Sequence, residues 1–203
     1  MKRARFYCMI MMSMLISACA SSTPSATPEP TISEPAATES VTEPTLEADM
    51  SLQLTSDAFA NGQSIPAKYS CIGKNISPAL AWTEPPAGTQ SFALIVDDPD
   101  APGRTWVHWV LFNIPADMHS LQEDLPITGK NVDPNAVYVG KNSWGDLGYG
   151  GPCPPSGTHR YFFKLYALDT TISLLPGAAK EQVLKEMESH ILAQAELMGT
   201  FSK

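Results

Sequence analysis

Phe92-Ala93-Leu94-Ile95-Val96, running through Asp97 into Asp98-Pro99-Asp100-Ala101-Pro102, is the stretch on which the fold turns. Five consecutive apolar residues with no polar alternation predict a strand buried on both faces, hence a central strand. Trp106 to Ile114 reads the same way, interrupted only by the titratable His108. Arg160 to Leu168 alternates instead. Tyr161, Phe163, Leu165 and Ala167 fall on one face, Arg160 and Lys164 on the other. Leu52–Leu54, Ala67–Ser70, Leu80–Trp82 and Ala136–Val139 are shorter strand candidates. Turn clusters such as Pro85-Pro86-Ala87-Gly88 and Asp133-Pro134-Asn135 separate them. The expectation is a mainly β domain over residues 51–203.

One helix is predicted late, from Ala179 to Leu197. Val183, Leu184, Met187, Ile191, Leu192 and Ala195 recur at helical spacing, with Lys180, Glu181, Lys185, Glu186 and Glu188 mostly off that stripe. Gly199 then reads as a C-terminal stop and His190 as a partly exposed helix residue.

Upstream of the domain the composition changes. Of the 203 residues, 18 are proline and 9 methionine, and five of those prolines and six of those methionines lie in the first 50 positions. Lys2, Arg3 and Arg5 precede the apolar run Phe6–Ile16, which suits a signal-peptide core and is short for a bilayer span. Leu15-Ile16-Ser17-Ala18-Cys19 resembles a bacterial lipobox, so residues 1–18 are expected to leave as a signal and Cys19 to carry lipid. The other reading is an ordinary secretory signal with a chance cysteine. Residues 19–50 follow as a Ser/Thr/Pro/Glu linker with six acidic residues, no Lys or Arg, and too few apolar side chains to offset the entropy of ordering. Those acids either extend the tether by self-repulsion or merely solvate it. The net charge is −8 and no basic run follows Arg5, which argues against a nucleic-acid partner.

The chemistry-bearing residues cluster around the strands. Asp98 ends a buried strand, where a carboxylate needs partners, and prolines fix the backbone around Asp100. His108 interrupts an apolar strand and needs a hydrogen-bond partner, for which Asp98 is a candidate. His159 opens a long strand after Gly150-Gly151-Pro152-Cys153-Pro154-Pro155-Ser156-Gly157, a loop whose backbone N–H groups can face an anion.

Taken in order, Asp98-Pro99-Asp100-Ala101-Pro102, Trp106-Val107-His108-Trp109, Gly151-Pro152-Cys153-Pro154-Pro155 and His159-Arg160-Tyr161 resemble the phosphatidylethanolamine-binding proteins. The match is to their bacterial and archaeal, Raf kinase inhibitor-like branch. Asn75-Ile76-Ser77-Pro78, Gly148-Tyr149-Gly150 and His190-Ile191-Leu192-Ala193 look like that branch too. The resemblance spans nearly all of Leu52 to Phe201. It implies an antiparallel β-sandwich with a C-terminal helix, and a small pocket for phosphate-like anions or phospholipid headgroups. By motif position that pocket would use Asp98, His108, His159 and Tyr161, with the backbone near Gly151 and Pro152 at the rim and Asp100, Pro102 and Trp106 in support. Asn142-Ser143-Trp144-Gly145 departs from the Asn-Asp-Phe-Gly of many relatives and alters the pocket approach.

Physical chemistry allows the same site: protonated imidazoles and a phenol donate to an oxyanion, and Asp98 would orient His108 and raise its pKa. The reading is therefore a membrane-anchored binding protein of the cell envelope, without cofactor, metal or catalysis. A protease-inhibiting or other protein-interaction module is the alternative. A hydrolase using Cys153 with His159, or a metal site from Asp98, Asp100, His108 and His159, are the remaining ones. Cys8 leaves with the signal and Cys19 takes lipid, so Cys71 and Cys153 remain. In an oxidising compartment they form a disulfide; otherwise they are buried free thiols.

Overall fold

The computed structural model describes residues 51–126 and 137–203. The signal, the Cys19 lipidation site, the linker and the Asp133-Pro134-Asn135 turn lie outside the described residues. Eight strands and one helix follow in the order β1 (Leu54–Thr55), β2 (Leu80–Trp82), β3 (Ser91–Asp98), β4 (Trp106–Pro115), β5 (Ser120–Leu121), β6 (Tyr138–Val139), β7 (Thr158–Leu168), α1 (Lys180–Met187) and β8 (Ile191–Ser202). They form two antiparallel sheets, β1-β2-β5 and β6-β4-β3-β7-β8.

The larger sheet is covered on both faces, which explains the unbroken apolar run of β3: every residue of that strand is buried. On one face Phe92, Leu94, Val96, Trp109, Leu111, Tyr161, Phe163 and Leu165 pack with Leu54, Leu80 and Trp82 of the small sheet. On the other, Ala93, Ile95, Val107, Val110 and Phe112 pack with Val183 and Met187 of α1 and with Ile172 and Ala178. This is the expected mainly β sandwich with one helix.

Two expectations are corrected. Ala67–Tyr69 is a single 3-10 turn, not a strand, held by N–H bonds from Tyr69 to the Pro66 carbonyl and from Ser70 to that of Ala67. The predicted helix stops at Met187, and Ile191–Ser202 is a strand. From Ala195 onward the apolar positions also fit a period of two, with Ala195, Leu197, Gly199 and Phe201 all buried. Strand pairing decides between the periods, because β7 needs a partner for its outer edge and β8 supplies one along its whole length. Gly199 is no helix stop. It lies opposite Tyr161, and a Cβ there would come within 2.5 Å of Ile65 and 2.8 Å of Phe59.

The β3–β4 ladder is irregular where it matters. Val96 pairs with Trp109, but Asp97 pairs with Val107, so His108 is the extra residue of a β-bulge. Alternation would put His108 and Trp109 on opposite faces. With the bulge, both turn to the Tyr161 side, while Val107 and Val110 share the other face.

Candidate functional site

The bulge, the end of β3 and the start of β7 converge at one end of the large sheet. His159 and Tyr161 are two residues apart on β7 and share a face, as strand geometry requires. Asp98, Ala101, Pro102, Trp106, His108, Trp144, Cys153, Pro155 and His159 line a cavity of about 240 Å³. Asp98, His108 and His159 are all buried.

The ionisable groups here are partnered, with Tyr161 the exception. Asp98 Oδ2 accepts from His159 Nδ1 at 2.7 Å, and its Oδ1 accepts the Asp100 N–H at 2.8 Å. Asp100 in turn receives Arg160 through Nε at 2.9 Å, Nη2 at 2.7 Å and the backbone N–H at 3.0 Å. That fork holds the Asp100 carboxyl down at about 2 and pins the Asp-Pro-Asp turn to the start of β7. His108 donates from Nδ1 to the Gly150 carbonyl at 2.6 Å. Burial lowers its pKa, outweighing that bond and the charge of Asp98. The Tyr161 hydroxyl is buried without a hydrogen-bond partner of good geometry, and so is the indole N–H of Trp106. Burial first, and the charge of Asp98 second, push the Tyr161 pKa well above the ordinary phenol value. Its ring meets His108 edge-on at 5.1 Å.

The structure thus re-pairs the expected site. Asp98 holds His159, not His108, and His108 is shifted down, not up. Gly151 and Pro152 do not offer donors to the cavity: the Gly151 N–H is taken by Asn75 Oδ1 at 2.7 Å, and Pro152 has no N–H. Pro102 and Trp106 line the wall as expected, whereas Asp100 acts behind it through Arg160. Cys153 is bonded to Cys71, with the Cα atoms 5.4 Å apart, so it is no thiol nucleophile. Among the described residues no group of three or more His, Cys, Asp or Glu side chains is arranged to hold a metal.

Two contributors escaped the sequence reading, and a third, Trp144, entered it only as part of a departure that alters the pocket approach. Trp144, about half exposed, stands edge-on to both His108 (5.1 Å) and Trp106 (5.3 Å). It fits because residue 150 is glycine: a Cβ there would lie 2.5 Å from the indole. Arg104 sits over the Trp106 ring, 5.1 Å from its centre, and adds a cation beside the wall. The Gly150 carbonyl fixes the His108 tautomer, a backbone role that no residue type announces.

A β-sandwich with a small, mostly apolar cavity holding Asp98, His108 and His159 at one end of its main sheet has the form of a binding-protein fold. Residues 55–202 match the family model for phosphatidylethanolamine-binding protein. The chain belongs to that family. It is 51% identical over 152 residues to a UPF0098 protein of Methanothermobacter thermautotrophicus, covering 75% of this chain and 99% of that one. A UPF0098 protein of Aquifex aeolicus is 45% identical over 155 residues, covering 75% and 89%. Among solved structures, a phosphatidylethanolamine-binding protein homologue from Chlamydia trachomatis is 43% identical with a TM-score of 0.69, covering 75% of this chain and 98% of that one. Escherichia coli YbcL, described as a member of the mammalian family, is 35% identical with a TM-score of 0.70 and the same coverage.

Proposed function

We propose that this protein is a non-catalytic binding protein of the cell envelope. It is tethered through a lipidated Cys19, and its cavity takes a small phosphate-like anion. The observation that carries the reading is the cavity that brings the buried Asp98–His159 pair and His108 together at one end of the large sheet. Arg104, over the Trp106 ring of the wall at 5.1 Å, places a cation near the cavity. The Cys71–Cys153 bridge supports an oxidising compartment, as export would provide.

Calorimetric titration of the full-length protein in non-ionic detergent with phosphate and O-phosphorylethanolamine tests the pocket. His159→Ala is expected to weaken binding by about 10-fold or more; it also leaves the buried Asp98 carboxylate without its partner, so the melting temperature falls and binding is read below the transition. Equal binding by wild type and variant, or heat from neither ligand, rejects the anion site and favours the protein-interaction reading.

A further inference from the structure

Beside the cavity of Asp98, His108 and His159 lies a second one, of about 230 Å³. Trp144 and Cys153 line both, so they form the partition between the two. The second cavity contains none of those three residues, and its chemistry differs. Most of its polar atoms are spent on the fold. Asn142 Oδ1 accepts the N–H groups of Trp144 and Asp146, each at 3.0 Å, and its Nδ2 donates to the Gly148 carbonyl at 3.3 Å. Asn75 Oδ1 accepts the Gly151 N–H, and the Tyr149 hydroxyl donates to the Tyr69 carbonyl at 2.9 Å. The one charged side chain in the lining is Asp146, and its carboxylate makes no ion pair among the described residues. The Cys71–Cys153 bridge and the Asn142 bonds fix the walls in advance, so little ordering is left for binding to do.

We infer that this second cavity receives a lysine or arginine side chain presented by a partner protein, with the cationic head paired to the Asp146 carboxylate and the stem against the Trp144 indole. A carboxylate beside an aromatic ring suits a cation on an apolar stem, by charge at one end and by ring contact along the other. An anion is repelled there, and an uncharged chain leaves the carboxylate unused. A protein presents the cation, rather than a free amine, because the apolar surface continues beyond the cavity. Ile72, next to the lining residue Cys71, is 56% exposed, and Trp144 is 47% exposed. They are two of the five large apolar side chains exposed among the described residues. A half-exposed tryptophan at the edge of a pre-formed pocket is the kind of anchor that protein interfaces use. The acidic balance of the chain, −8 overall, also steers a basic partner toward it.

Magnetic resonance titration of the full-length protein in non-ionic detergent, carrying isotope-labelled tryptophan, tests the site. The indole N–H signal of Trp144, identified by its absence from Trp144→Phe, reports occupancy. N-acetylarginine methylamide and N-acetyllysine methylamide should each shift it saturably at constant ionic strength. N-acetylcitrulline methylamide, similar in shape but uncharged, should bind about threefold or more weakly than the arginine probe. Asp146→Asn should cost the arginine probe about the same factor. Glu186→Gln, which removes an equal charge from the exposed surface of α1, should leave its affinity within about twofold. The tripeptide acetyl-Leu-Arg-Leu-amide should bind about fivefold more tightly than the single arginine, and Ile72→Ser should remove that gain. The Asp146 and Ile72 side chains are exposed, so neither variant threatens the fold. Citrulline binding as well as arginine, or Asp146→Asn without effect, overturns the cation site. A tripeptide no tighter than the single residue overturns the protein partner in favour of a free amine. No saturable shift with any probe overturns the cavity as a binding site. Phosphate enters no arm, so failure here leaves the anion reading standing.

Discussion

At His108 a hydrogen bond and a burial cost pull in opposite directions, and burial wins. The consequence is a stability that depends on pH. A histidine whose folded pKa lies below its unfolded value of 6.5 leaves the fold fully stable above that value. That contribution is lost as pH falls from about 6.5 through the folded pKa. Chemical denaturation between pH 7.5 and 5 should therefore show a falling midpoint, and His108→Gln should flatten the slope; an unchanged slope would mean that burial does not shift His108 on folding. Tyr161 makes a second expectation. Tyr161→Phe removes a buried hydroxyl that lies near Asp98 and the Cys153 backbone without a well-formed hydrogen bond to either, so the stability of the unliganded protein should change by no more than about 1 kcal/mol. A variant that loses more than this without ligand present would show that the hydroxyl is already satisfied. The residue types of this site were legible in the sequence: an aspartate ending a buried strand and a histidine interrupting another are each costly without a reason. Their pairing was not. A β-bulge reverses which face a side chain takes, and nothing in Trp106-Val107-His108-Trp109 marks it.

The elements show where periodicity suffices and where it fails. β3 is buried throughout, as its apolar run demands, and β7 alternates as written. The segment after Met187 supports two periods at once, and only the unpaired edge of β7 selects the strand. The Cys71–Cys153 bridge ties the loop after the 3-10 turn to the Gly-Pro-Cys-Pro-Pro loop, closing a sequence separation of 82 residues. In the chain-entropy model such a closure stabilises the fold by about 4–5 kcal/mol. Cys71→Ser/Cys153→Ser should lower stability by most of that amount in urea titration. Because Cys153 lines the cavity, the double variant should also bind phosphate more weakly. A loss below about 1 kcal/mol would mean that the loops hold their places without the bond.

At the scale of the whole molecule, the proposed anchor at Cys19 and the β domain would share one chain. Cys19→Ala should shift the protein from the detergent phase to the aqueous phase in Triton X-114 partitioning, since two acyl chains at about 0.8 kcal/mol per buried methylene are what would hold it to a membrane. Unchanged partitioning would remove the lipid anchor from the account. The sequence by itself determined the mainly β class, the central strand, the acidic composition of residues 19–50 and the residue types of the site. These follow from composition and from periods of two, which are local properties of the chain. Only the tertiary structure decided that β8 is a strand, that Asp98 serves His159, and that the Gly151 amide is spent on Asn75. The physical reason is common to all three. Each buried donor or acceptor must find a partner, and which partner stands within about 3 Å is settled by how distant segments meet, not by what lies next to them in sequence.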